Sequence, residues 1–199
     1  MKNNIVKYCN IKNNEVFLDG KSIFHDEEKL DFNEFIKKVY KNFEMEYPKF
    51  YKMDPLCKLA VAGSSILLDQ FEEVDSEMAV ILSNKSSCID IDIVHQASIS
   101  EGNEGYASPA NFVYTLPNIA LGEISIKYKL RSENSFFIFE DFNPDFLIDY
   151  TTSLIGLKKT NQVMCGWVEI FKNEYNAFLF IVKAEKGITF NKENLLKLI

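Results

Sequence analysis

Tyr106 to Asn134 reads YASPANFVYTLPNIALGEISIKYKLRSEN, and the fold of the chain is decided here. Pro117-Asn118 has the form of a helix start, because proline supplies a preset φ where its missing N–H costs nothing. A helix is therefore expected from Pro117 to Leu130. Its end carries Lys127, Lys129 and Arg131, a local basic cluster in an otherwise acidic chain. A solvated helix end is the commoner explanation for such a cluster, and a docking patch for an acidic partner is the sharper one.

Downstream, Ser135–Phe139 reads as a strand, Glu140 and Asp141 as the turn after it, and Asp145–Leu157 as a helix with Leu147, Ile148, Tyr150, Leu154 and Leu157 on its apolar side. Gln162–Val168 and Ala177–Val182 give two further strands. Upstream, Met78–Leu82 is a short apolar run of the kind a strand buried on both faces shows. Asp54 and Pro55 open a helix in which Ala60 and Gly63 would let the backbone sit close to a sheet, with one side buried. Asp31–Phe43 is amphipathic with Asp31 as N-cap, and Asn4–Tyr8 and Glu15–Leu18 are short strands about an Asn13-Asn14 turn. Strands separated by helices predict an α/β fold with a mixed sheet covered on both faces.

The 199 residues, 47% of them hydrophobic, suit one compact domain over 1–199, and no repeat or linker divides them. No run approaches the roughly 18 consecutive apolar residues of a membrane span. The N-terminus lacks the apolar core of a secretory signal, so a cytoplasmic location is expected. A net charge of −7 argues against a nucleic-acid surface. Cys9, Cys57, Cys88 and Cys165 are far apart and are expected to be reduced, buried thiols. With only His25 and His95 available, no metal-ligand spacing exists and no metal or cofactor is expected. His95 fits a partly buried structural position on a helix, and His25, before Asp26, Glu27 and Glu28, a solvated loop.

The same central stretch resembles the β-ketoacyl synthases. Ser108, Pro109, Leu116, Pro117, Asn118, Gly122, Ser125, Ile126, Tyr128 and Asn134 match that family's motif in order, although the glycine of its turn before the nucleophile strand is missing. Lys52-Met53-Asp54 and Leu82-Ser83-Asn84 are weaker matches, and the likeness extends over most of Tyr51 to Glu185. It implies a thiolase-like half: a three-layer α-β-α arrangement about a five-stranded mixed sheet. A chain ending at Ile199 is expected to hold one half only.

The resemblance also says where chemistry belongs. Condensation in this family needs a cysteine thiolate at the strand-to-helix turn and imidazoles from the other half of the fold. Here Asp141 falls at the nucleophile position, where a carboxylate cannot carry the thioester; a helix cap followed by Asn143 and Pro144 is its structural reading. Cys165, between Met164 and Gly166, reads as core. The resemblance thus implies a non-catalytic partner of a full-length ketosynthase, like a chain-length factor, in fatty acid, polyketide or aryl-polyene-type synthesis. It further implies pairing, with another ketosynthase or with itself, along Ser135–Phe139, with Phe137 and Phe139 at the interface. An acyl carrier protein would dock at Lys127, Lys129 and Arg131. Two alternatives stand beside it: a reduced acyl-thioester hydrolase or decarboxylase using Asp141 or Glu140 as base, and a homodimeric acyl-binding scaffold.

Overall fold

The computed structural model describes residues 3–100 and 107–199. Its centre is a continuous mixed sheet. The strands are β1 (Asn4–Lys12), β2 (Glu15–Leu18), β3 (Lys21–His25), β4 (Ala79–Asn84), β5 (Asn134–Ile138), β6 (Gln162–Phe171), β7 (Glu174–Lys183) and β8 (Ile188–Thr189), in the order β3-β2-β1-β7-β6-β4-β5, with β8 beside the start of β1. β4 runs parallel to β5 and β6, and the remaining neighbours are antiparallel. The expected five-stranded sheet is thus an eight-stranded one. The reason is the N-terminal meander: β1 pairs along nearly all of β7, and β2 and β3 fold back from it. Two tight turns permit the hairpins, with Asn13 and Asn14, and then Lys172 and Asn173, at positive φ, as the type I′ geometry between twisted strands requires.

Helices cover both faces. On one lie α1 (Phe32–Asn42), α2 (Pro55–Leu68) and α5 (Asn118–Tyr128); on the other, α6 (Pro144–Gly156) and α7 (Lys192–Leu198). The caps follow the sequence. Asp31 accepts from Glu34 N at the start of α1, and Asp54 accepts from Leu56 N and Cys57 N at the start of α2. Between the two starts, a 3₁₀ turn at Pro48–Lys52 buries Phe50.

α2 departs from the expectation of one buried side: every residue from Leu56 to Leu68 is buried. It is wedged between the sheet below and α1 and α5 beside it, which is where a helix apolar on all sides belongs. Gly63 lets it settle there, because any side chain at that position would run into Leu179 of β7. Leu56, Leu59, Ile66, Leu67 and Leu68 are fully buried, worth roughly 1.5–3 kcal/mol each.

Two helices stand outside this plan. α3 (Ile89–Ser100) and α4 (Pro109–Tyr114) pack on each other, and neither has a buried residue. α3 leaves the C-terminal end of β4, and α5 brings the chain back to the start of β5, so the excursion hangs at the C-terminal end of the sheet.

Candidate functional site: the edge strand and the turn that follows it

Among the described residues β5 is the last strand of the sheet, bonded on one side only, to β4. Alternation sends Phe137 and Phe139 toward α6, where both are half-buried. Phe137 lies 4.6 Å from the Phe146 ring and 5.5 Å from Tyr150, and Phe139 lies 5.0 Å from Phe146. The two phenylalanines expected at the interface thus face α6 rather than solvent. Ile138, on the opposite face, is the apolar side chain left open at this edge, at 49% exposure.

Past β5 the Phe139 N–H donates to Asn84 O at 2.9 Å, holding the turn to the end of β4. Phe142 anchors the turn inward, 5.8 Å from Phe178 and 6.3 Å from Trp167. α6 then starts at Pro144, capped by Asn143, whose side chain accepts from Phe146 N at 3.1 Å. The expected capping role of Asp141 is thus corrected. It stands two residues before the cap and is exposed, because proline at the first helical position fixes the start one residue after Asn143. Glu140 is exposed as well. The turn borders an open cleft of about 380 Å³ lined by Phe139, Glu140, Asp141, Phe142, Asp145, Lys192 and Leu196. Lys192 was not legible as a site residue; it crosses from α7 to pair with Asp145 at 2.5 Å.

No thiol reaches this turn among the described residues. All four cysteines are free and buried. Cys165, in the middle of β6, is fully buried with Thr151 Oγ1 3.1 Å from its sulfur, and burial pushes its thiol up to about 12. Burial likewise raises Cys88 to about 12 and holds Cys9 and Cys57 above the ordinary range. A thiolate nucleophile needs the reverse, a lowered pKa and access to solvent. Among the described residues no cluster of His, Cys, Asp and Glu could hold a metal ion.

The three basic residues do not form one patch. Lys127 is largely covered, 3.9 Å from Asp69, with its ammonium over the Tyr128 ring; burial lowers its pKa. Lys129 ends α5 in the left-handed conformation, and Arg131 follows it with its N–H tied to Ser76 O; both side chains are exposed. His25 closes β3 and is exposed, rather than lying in a loop, while Asp26 beside it is buried against Lys38. His95 is half-buried, with its ring 5.6 Å from Phe112. Among the described residues no helix is long and apolar enough to cross a membrane.

No family model matches the chain, and no curated protein matches it in sequence. Solved structures do match it in shape. The ishigamide ketosynthase/chain length factor aligns with a TM-score of 0.70 at 16% identity, over 94% of this chain and 64% of that one. The ketosynthase ApeO in complex with its chain length factor ApeC, from Xenorhabdus doucetiae, aligns with a TM-score of 0.63 at 13% identity, over 94% and 81%. The AntDE:AntF assembly, a type II polyketide synthase acyl carrier protein in complex with its ketosynthase, aligns at 0.61 and 14%, over 92% and 62%. The chain spans just under two thirds of the length of the first and third of these. At such identities the likeness is one of fold alone: the chain has the α/β fold of these ketosynthase structures.

Proposed function

We propose that this chain, one ketosynthase N-terminal-like domain over 1–199, is a non-catalytic subunit that pairs with a full-length ketosynthase in the cytoplasm. Its role would be that of a chain-length factor in fatty acid, polyketide or aryl-polyene-type synthesis. One observation supports the reading: the turn from β5 into α6, which the family likeness would make the nucleophile turn, carries an exposed Asp141 and no cysteine, while all four cysteines are buried with raised thiol pKa. A carboxylate there cannot carry the thioester that condensation in this family uses, so in this reading a partner performs the condensation. That solved relatives in shape include ketosynthase/chain length factor pairs supports the same reading.

The free edge of β5 is the pairing strand in this proposal, with Ile138 its exposed apolar contact and Phe137 and Phe139 stiffening it from behind through α6. An unpaired strand edge is a template for another strand. Lys129 and Arg131, rather than Lys127, would meet an acyl carrier protein, since they are the two of the three that face water. Co-expression with complete ketosynthases of the same organism tests the pairing: a stoichiometric complex on size exclusion supports it, and separate elution from all of them contradicts it.

A further inference from the structure

β1 carries a buried asparagine whose hydrogen bonding is incomplete. Asn10 is 4% exposed, and its Nδ2 donates to Leu198 O at 2.8 Å. That bond fixes which end of the amide is which, and it leaves Oδ1 buried with no donor facing it. A buried acceptor without a donor is costly to keep, and a group from outside the chain is one remedy. Asn10 lies in the wall of a cleft of about 240 Å³, larger than the roughly 150 Å³ that takes up a benzene. Tyr8, Asn10 and Lys12 alternate along the same face of β1, and Phe17 of β2 stands opposite Asn10. Leu198 and Ile199 form the other wall, where α7 ends. Gly20, at φ +77°, leaves the Tyr8 hydroxyl its room, since a side chain there would come within 2.8 Å of it.

We propose that this cleft binds a small organic anion: a monocarboxylate whose apolar body carries an N–H or O–H donor at the end away from the acid. The donor end answers Asn10 Oδ1. The acid end answers Lys12, which is half-buried and forms no ion pair among the described residues, its cross-strand neighbour Glu15 included. Lys197, also at the mouth, is held by Glu193 at 2.6 Å. Asn10 and Lys12 are two residues apart, about 7 Å along an extended strand, which sets the distance between the ligand's donor and its carboxylate. Tyr8, Phe17 and Leu198 supply the apolar walls. Burial and the nearby Asp19 raise the Tyr8 pKa, so its hydroxyl stays protonated beside them. The wall must give slightly for a ligand to reach Oδ1, and the half-buried Leu198 and Ile199, at the last turn of α7, allow that. The site lies four strands from β5, about 19 Å across the sheet, so it neither uses the turn at Asp141 nor depends on the partner reading.

The test uses the full chain and three probes: indole-3-acetate, which has both groups; 1-methylindole-3-acetate, which lacks the donor; and 3-methylindole, which lacks the acid. Binding is read from the backbone and Asn10 side-chain amide signals of isotope-labelled protein in solution. Indole-3-acetate is expected to shift Tyr8, Asn10, Lys12 and Phe17 and to bind at least about 10-fold more tightly than either of the other two. Lys12→Met should weaken it about 10-fold with the thermal midpoint unchanged. Asn10→Leu, checked for its fold by circular dichroism, removes the orphan oxygen and should erase the preference for the probe that bears the donor. Signals that move for none of the probes, or equally for all three, overturn the inference. Binding that Lys12→Met leaves intact, or shifts confined to the turn after β5, overturns it as well.

Discussion

The Tyr47 hydroxyl donates to Glu123 Oε2 at 2.8 Å, tying the segment before the 3₁₀ turn to the middle of α5. Glu123 is 3% exposed, and Lys49 reaches its other oxygen at 2.5 Å. A buried carboxylate depends on its donors, because losing one leaves an oxygen without water or partner. Tyr47→Phe should therefore destabilise the fold by about 1–3 kcal/mol in urea titration with the slope unchanged. A variant as stable as wild type would mean that water reaches Glu123.

At the start of α2 the two functions of Asp54 can be separated. Its side chain caps the helix through Leu56 N and Cys57 N, while burial raises its pKa. Asparagine removes the buried charge but keeps only one of the two acceptor oxygens, so its amide N–H₂ faces one of the two N–H donors. Asp54→Ala should cost about 1 kcal/mol, and Asp54→Asn should recover only part of that loss. Equal losses in both would show that the cap needs both oxygens.

Alkaline pH should destabilise the fold through its buried thiols and phenols. Burial raises Cys88 and Cys165 from 9.0, and Tyr114 and Tyr175 from 10.0, each to about 12. A raised acid keeps its proton in the folded state while the unfolded chain releases it. The stability from these groups is thus complete below their unfolded values and is lost as pH rises through the window from about 9 to about 12. The urea midpoint should hold to about pH 8 and fall steadily above about 9; a midpoint flat to pH 11 would contradict the buried assignments.

Sequence patterning located what is locally encoded. Asp31 and Asp54 announce their helices, and the cores of β4, β6 and β7 appear as apolar runs because those strands are buried on both faces. β3 escaped because four of its five residues are exposed and alternate weakly, and the length of β1 and β7 depends on each other rather than on either alone. The burial of α2 on all sides is likewise a property of its neighbours. At the site, the exposure of Asp141 was not legible, since Asn143 and Asp141 are equally good caps on paper. Nor could spacing reveal that Lys127 turns onto Asp69 and Tyr128 while Lys129 and Arg131 face water.

At the edge strand, Ile138→Lys should weaken ketosynthase binding at least about 10-fold while leaving the fold intact, because Ile138 is half exposed and faces away from α6. Thermal unfolding within a degree or two of wild type, with binding lost, is the expected pair of results. Unchanged binding would move the interface away from β5.

The central claim is that this chain serves condensation without performing it, and the direct measurement is condensation by a complete ketosynthase with wild-type chain, with Asp141→Ala, and with neither. The account predicts that activity or product length depends on the chain, that Asp141→Ala supports it as fully as wild type, and that the chain alone turns over no acyl thioester. Thioester turnover by the chain alone, abolished in Asp141→Ala, would contradict it and make Asp141 a catalytic carboxylate.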